Sequence, residues 1–291
     1  MLLKKIINKV PLHISNKNIK GLALDSRLVK KDFIFFALKG HKYNGDRFIS
    51  SALKKGASLI ITEKKINNNI TNEKILFVKD VKKTLTEACV NFYKTKPKNI
   101  IAVTGTNGKT SIANFYYQIL SLNNKKVASI GTLGVLSKKF ILKTTNTTID
   151  PINIHKILQK LKDNNIENVI LEASSHGLKQ QRLSNINFNT AIFTNLSRDH
   201  LDYHKTFKDY LNSKLILFNK LLKNKGNIIF DEEIPQASLL NNISKKRKLK
   251  KYSLCNKKSF IKIKNIKKIN DKKKVEFLID KKSYSFKTPL I

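Results

Sequence analysis

The sequence predicts an α/β protein in two parts, the second built on a doubly wound, mostly parallel sheet with a small antiparallel β element near residue 291. Three observations carry this. Short apolar runs rich in β-branched residues alternate with helical patterns along most of the chain, as strand–helix–strand crossovers require. The stretch IIAVTGTNGKTS, residues 100–111, places a glycine turn between an apolar strand and a helical pattern. From about residue 250 the pattern changes to short alternating runs, SFIKIKNI, KKVEFLI and KSYSFKT, which read as antiparallel strands joined by polar turns.

The elements follow in order. DFIFFAL (32–38) and ASLIIT (57–62) read as buried strands on either side of a helix near 46–55. KILFVKD follows, then VKKTLTEACVNFYK, whose Val81, Leu85, Ala88, Cys89 and Phe92 fall on one helical face. The polar segment KTKPKN, with Pro97, is the expected domain boundary, dividing the chain into 1–96 and 97–291. Beyond it, NIIAVTG is a strand, 109–122 a helix and KVASIG a strand. A further helix begins at DPINIHKILQKL, with Asp150 as its N-cap and Pro151 in its first position. NVILEAS and TAIFTNL are two more apolar strands. In such a sheet, ligands gather beyond the strand C-termini.

Composition narrows the function classes. With 41% hydrophobic residues, no tryptophan and no apolar run of the ~18 residues a membrane span needs, the chain reads as globular. MLLKKIINKVPLHI lacks the unbroken apolar stretch and cleavage site of a signal peptide. Two isolated cysteines, Cys89 and Cys255, suit a reducing cytoplasm without a disulfide. The net charge of +38 invites a nucleic-acid reading, but the excess is lysine spread among Asn and Ile over the whole chain. Solvated lysine faces are the preferred reading, with a field that attracts acidic substrates.

Several residues are placed to do chemistry. A Walker A loop reads G-x-x-x-x-G-K-[ST], yet counting back from Gly108-Lys109-Thr110 puts its first glycine at Val103, and Gly105 comes two residues late. This is either a chance turn or a specialised phosphate loop, and the strand, turn and helix in register favour phosphate binding. Backbone amides and the helix N-terminus attract anions, Lys109 reaches terminal phosphates, and Thr110 can ligate Mg²⁺. VILEASSHG presents Glu172 at a strand end; IFTNLSRDHLDYH presents Asp199, His200, Asp202 and His204 just past another. Taken singly, Asp199 reads as a helix cap and the histidines as surface imidazoles. Three strand ends feeding one sheet edge point instead to a metal and an activated group. In TFKDYLNSKLILF, Lys214 shares a helical face with Phe207, Tyr210, Leu211 and Phe218. Spacing leaves open whether it snorkels to the rim or turns inward.

Together these blocks resemble the Mur ligases, ATP-dependent amide-bond-forming enzymes of peptidoglycan synthesis, whose phosphate loop has the shortened form GTNGKT. TTNTTIDP, LEASSHGLKQQRL and TNLSRDHLDYH are similar to the type that extends UDP-N-acetylmuramoyl-L-alanyl-D-glutamate with a third residue. LALDSR and FFALKGHKYNGDRFI resemble that type's uridine-nucleotide-binding domain. The resemblance implies that Leu24, Ser26, His41, Lys42 and Tyr43 bind the UDP portion. It implies that Asn146, Thr147, Thr148, Ser174, Gln180 and Arg182 hold the muramoyl-dipeptide. Gly105, Thr106, Asn107, Gly108, Lys109 and Thr110 would cradle ATP, with Thr110, Glu172, His200 and Lys214 around Mg²⁺ and Lys109, His200 and Lys214 as the catalytic set. Lys214 falls where the family carries a carbamylated lysine, which favours its turning inward.

The implied reaction transfers the γ-phosphate of ATP to the D-glutamate side chain, and the amine of a diamino acid attacks the acyl phosphate. The added residue is expected to be meso-diaminopimelate, with L-lysine as the alternative, in a monomeric cytoplasmic enzyme. The family has three domains, and the sequence stops at FKTPLI before the central one is complete, with the C-terminal ligase domain expected beyond it. This chain is therefore expected to bind the UDP substrate better than it catalyses. The competing readings are a folylpolyglutamate synthase, a non-catalytic remnant that still binds the UDP substrate, and a basic nucleic-acid-binding protein.

Overall fold

The structure is a computed structural model describing residues 1–40, 44–64, 72–144, 146–200, 202–255 and 259–289. By packing, the chain divides into two compact units. The first comprises Met1–Lys96, Asp150–Asn164 and Gln181–Asn185; the second comprises Pro97–Ile149, Asn165–Gln180 and Ile186–Ile291.

The first unit opens with α1 (Leu12–Ser15), β1 (Gly21–Ala23), β2 (Phe33–Phe36), α2 (Ile49–Lys54), β3 (Leu59–Thr62), β4 (Ile75–Phe77) and α3 (Val81–Phe92). Among the described residues β1 to β4 form a parallel sheet in that order. Side chains alternate across it. Ile34, Phe36, Leu59 and Ile61 pack with Val81, Leu85 and Ala88 on one face. Phe35 and Ile60 pack with Ile49 and Ala52 on the other. Covering both faces is why FIFF and LIIT read as unbroken apolar runs.

The chain continues through β5 (Asn99–Thr104), α4 (Lys109–Leu122), β6 (Val127–Gly131), β7 (Gly134–Ser137) and β8 (Ile141–Leu142). It then returns to the first unit with α5 (Pro151–Asp163). The Asp150 carboxylate accepts from the amides of Ile152 and Asn153, both at 3.0 Å, and Pro151 occupies the first turn, as the sequence predicts. The remaining elements are β9 (Asn168–Glu172), α6 (Ser175–Lys179), β10 (Phe188–Phe193) and α7 (Phe207–Ile216), which widens into a π turn over Leu217–Leu221. β11 (Leu222–Asp231), α8 (Ala237–Lys246), β12 (Lys250–Leu254), β13 (Ile261–Ile269), β14 (Lys272–Ile279) and β15 (Lys282–Thr288) complete it.

The second unit's described strands form one sheet in the order β15-β14-β13-β12-β11-β10-β5-β9-β6-β7-β8. Pairs from β6 through β13 are parallel, and the two flanks are antiparallel. β5 and β9 are buried along almost their whole length. From β5 the chain moves to β6 and back to β9 on one side, then to β10, β11 and β12 on the other. The winding direction therefore reverses at the β5–β10 boundary, where doubly wound sheets open a ligand crevice.

β13, β14 and β15 make a sheet with two unlike faces. In register, Ile263, Phe277 and Tyr284 line up beside Ile266, Val275 and Phe286, while Lys262, Lys274 and Lys287 lie on the reverse. Ile266 and Phe286 are 54% and 50% exposed, so the apolar face is not covered within the described residues. Among the described residues one strand-paired position, Leu254 with Ile261, joins this sheet to β12, beside the Cys255 N to Ile261 O bond (3.1 Å) and the edge contact of the Tyr252 and Phe260 rings. Among the described residues no helix is long and apolar enough to cross a membrane.

Two outcomes follow for the first unit. Asp150→Ala removes a carboxylate that caps two amides of α5, an expected loss of about 1 kcal/mol by denaturant titration; unchanged stability refutes the cap. His155 on α5 is 3% exposed, and burial first, then the Lys96 charge, pull its imidazole down to about 4. The unfolded chain binds that proton near the ordinary pKa of ~6.5 and the folded chain does not, so stability rises with pH across this interval. Titrations from pH 7 to 4 should show wild type losing more stability than His155→Gln; parallel losses refute the assignment.

Candidate active site

β5 ends at Thr104, and the backbone turns through Gly105 into a loop closed by Gly108, the N-cap of α4. Gly105 has φ 153°, and a Cβ there would lie 1.8 Å from Thr194 Oγ1 at the end of β10. The residue is glycine because β10's following segment occupies the space a side chain would need. That segment also holds the loop open. Asn195 O accepts from Thr106 N (3.0 Å), Asn195 Oδ1 accepts from Asn107 N (2.9 Å), and Thr194 Oγ1 donates to Asn107 O (2.6 Å). No side chain caps Gly108, so the N-terminus of α4 keeps its preference for an anion.

Two lysines meet at one carbonyl. Lys109 Nζ donates to Gly105 O (3.0 Å) and Thr106 O (2.8 Å), and Lys214 Nζ donates to Gly105 O at 2.6 Å. Lys214 is 1% exposed, and its ammonium lies 4.4 Å from the centroid of the Tyr210 ring. Burial first, then the neighbouring Lys109 charge, against the opposing pull of Asp199, bring Lys214 down to about 7. Burial also lowers Lys109, partly countered by Glu172 and Asp199. Of the two orientations that spacing left open for Lys214, the inward one is found. Tyr210 and Phe218 share its buried face, but Phe207, in the first turn of α7, is 40% exposed and does not belong to it. Tyr210 Oη shares a hydrogen bond with Thr106 Oγ1 (3.1 Å), so α7 grips the loop at two points.

Glu172 ends β9 and is 2% exposed. Its Oε2 accepts from Thr110 Oγ1 (2.8 Å) and Thr132 Oγ1 (3.1 Å), and Oε1 accepts from Thr132 N (2.9 Å). A Cβ on Gly131 would fall 2.1 Å from Oε1, so the carboxylate packs directly on the backbone at the end of β6. Thr110 and Glu172 thus present hard oxygen donors beside the loop. Among the described residues no cluster of three His, Cys, Asp or Glu side chains could hold a metal. This donor set suits Mg²⁺ arriving with nucleotide phosphates, since Mg²⁺ is commonly held by one or two carboxylates plus substrate oxygens.

The other sequence candidates fall into groups. Thr148 Oγ1 donates to Glu172 O (2.9 Å) and accepts from Ser174 N (3.0 Å); Thr147 Oγ1 bonds Thr132 Oγ1 (3.1 Å). Ser174 Oγ caps α6 by accepting from Gly177 N. Gln180 Nε2 donates to Tyr203 Oη (3.1 Å), and Asn146 is exposed. Arg182 belongs to the first unit. Leu24 and Ser26 line a cleft of about 530 Å³ in that unit, with Asp25, Arg27, Leu38 and Phe48. His41, Lys42 and Tyr43 lie outside the described residues.

The two histidines beyond β10 diverge. His200, at φ 53°, is an exposed imidazole with its amide bonded to Asp199 Oδ1 (2.8 Å), so Asp199 serves this turn rather than a helix. Its ring is edge-on to His176, with centroids 5.0 Å apart. His204 is fully buried instead. Residue patterns missed Thr132, Thr194 and Asn195, and placed Tyr210 on the Lys214 face without giving it a role. The signal for the first three was their position just after strands at the sheet edge where the winding reverses.

The chain matches two family descriptions: the Mur ligase family catalytic domain over residues 18–99 and the Mur ligase middle domain over 103–291. It is 42% identical over 280 residues to the UDP-N-acetylmuramoyl-L-alanyl-D-glutamate–2,6-diaminopimelate ligase of Rickettsia bellii, covering 94% of this chain and 57% of that one. A solved structure of a ligase of the same name superposes with TM-score 0.86 at 27% identity, covering all of this chain and 60% of its own. MurF ligase from Thermotoga maritima in complex with ADP shares the fold, with TM-score 0.59 at 19% identity over 92% of this chain and 58% of that one. The chain thus spans somewhat under two thirds of the length of these relatives. The family matches, and a phosphate loop in the family's shortened form at the reversal of a doubly wound sheet, place this chain in the Mur ligase family.

Proposed function

We propose that the chain carries the uridine-nucleotide-binding part (1–96) and the ATP-binding central part (97–291) of a cytoplasmic ligase of peptidoglycan synthesis. The reaction joins a diamino acid, meso-diaminopimelate, to UDP-N-acetylmuramoyl-L-alanyl-D-glutamate. The observation that carries the reading is the convergence of Lys109 and Lys214 on the Gly105 carbonyl, beside Thr110 and Glu172. It occurs in a chain 42% identical to a relative named for that reaction.

The roles are those that the family resemblance implies. ATP phosphates take the loop Gly105 to Thr110, exchanging the neutral carbonyl partners of Lys109 for charge-assisted bonds. Leu24 and Ser26, with His41, Lys42 and Tyr43, bind the UDP portion. Asn146, Thr147, Thr148, Ser174, Gln180 and Arg182 hold the muramoyl-dipeptide. Thr110, Glu172, His200 and Lys214 hold Mg²⁺, whose contribution is to neutralise phosphate charge. The D-glutamate side-chain carboxylate attacks the γ-phosphorus and ADP leaves. The diamino acid's amine then attacks the acyl phosphate carbon, and the tetrahedral intermediate expels phosphate to leave the amide. Lys109 offsets the charge that builds on the transferring group, so this chain contributes chiefly positioning and electrostatics.

Lys214 takes up CO₂. A pKa near 7 leaves much of the amine neutral at physiological pH, the form whose lone pair attacks CO₂. A C–N bond forms, a proton leaves, and a cation crowded by Lys109 becomes an anion that attracts it.

Calorimetry with Mg·ATP tests the nucleotide site. Lys109→Ala should weaken binding about tenfold or more, the scale of a lost hydrogen bond to a charged group; equal affinity refutes it. The carbamate is tested by ¹³C NMR in labelled bicarbonate, with a carbamate resonance expected in wild type and none in Lys214→Gln. The same resonance in both, or in neither, refutes it.

A further inference from the structure

His204 is 0% exposed, yet it lies at the meeting of three segments that each carry residues of the proposed site. Its Nε2 is 3.0 Å from Ser175 Oγ, in the first turn of α6. Its Nδ1 is 3.4 Å from Asp209 Oδ2 and 3.5 Å from Ser213 Oγ, both on α7 and the second adjacent to Lys214. Its own amide donates to His200 O (2.9 Å), closing the turn that presents the His200 imidazole. The Asp209 carboxylate is also held by Lys179 at the end of α6, at 2.5 Å. A carboxylate only accepts here, so Nδ1 carries the proton toward Asp209, and Nε2 accepts from the Ser175 hydroxyl.

Serine, histidine and carboxylate in this order look like a nucleophilic relay, but Ser175 is 1% exposed and offers no substrate an approach. The arrangement instead fixes positions. We propose that His204 is a positioning residue that locks α6, the His200 turn and α7 together, and so sets where His200 and Lys214 stand relative to a nucleotide-bound Mg²⁺. The proposal rests on the nucleotide and metal reading above. His204 bonds directly to Ser175, His200, Asp209 and Ser213, and reaches the phosphate loop one step further on, through Tyr210, whose ring centroid lies 5.1 Å from its own and whose Oη meets Thr106 Oγ1. Metal-assisted binding should therefore suffer more than the loop's own affinity for ATP.

The test is calorimetry of ATP binding to this chain, with Mg²⁺ and with a chelator, in wild type, His204→Ala, His204→Gln and Ser175→Ala. Wild type should bind more tightly with Mg²⁺. His204→Ala should lose about tenfold of that metal-dependent gain, the usual scale for a residue behind a metal ligand, with a smaller change in the affinity measured with the chelator. His204→Gln, which can still accept from Ser175, should recover part of it. Ser175→Ala, a smaller change, keeps the test decisive if His204→Ala does not fold, and should move the gain in the same direction. An unchanged gain in these variants overturns the proposal, and so does an equal loss with and without metal, which marks a purely structural histidine. No metal-dependent gain in wild type overturns the metal reading itself, and the positioning role with it.

Discussion

Everything in the candidate site depends on how closely two strand ends approach. β5 and β10 are neighbours, and the segment after β10 passes so near Gly105 that a single methyl group would collide with Thr194. That proximity lets Asn195 bond two amides of the loop and keep its carbonyls pointed inward. The carbonyl of Gly105 then gathers Lys109 from the first turn of α4 and Lys214 from α7, residues 105 positions apart in sequence. Without the glycine the loop would shift, and both cations would lose their shared anchor.

Charge is handled by crowding. Two ammonium groups share one neutral carbonyl, while the Glu172 carboxylate beside them is occupied by three donors from Thr110 and Thr132. Such a site is poorly balanced on its own and gains by receiving negative charge. In the proposed function, the phosphate oxygens of ATP would supply it from one side, and the proposed carbamate of Lys214 would supply it from within. The chain's net charge of +38 plays a different part: spread over the surface, it raises the local concentration of acidic ligands without selecting among them.

Much of this was legible in the sequence because local rules set it. The helix 109–122 has the bounds its pattern gives, and α5 starts at the Asp-Pro pair that announces it. Glu172 sits at a strand end because an apolar run stops there. Features decided by tertiary packing were not legible. Helical spacing put Lys214 and Phe207 on one face, but α7 buries Tyr210, Ser213 and Lys214 while Phe207, at its start, stays 40% exposed. The alternative fates of His200 and His204 look identical on paper; a turn at positive φ separates them, sending one ring outward and the other into the junction. β7, β8, β11 and α8 were not singled out, since their short or lysine-interrupted runs lack clear period. Nothing in the pattern of α5 reveals that it packs with the first unit.

The slender link between β12 and the sheet of β13, β14 and β15 has a consequence for cooperativity. Among the described residues one paired position, one further backbone bond and one ring contact make the connection, whereas the three strands are bonded to each other along their length. Such an element behaves as its own foldon. Its amides open and exchange with solvent together, at a free energy set by its internal ladder rather than by the parallel core of the sheet. Strain or ligand binding at the phosphate loop is therefore transmitted poorly to these strands, and anything that settles on their apolar face stabilises them without tightening the site.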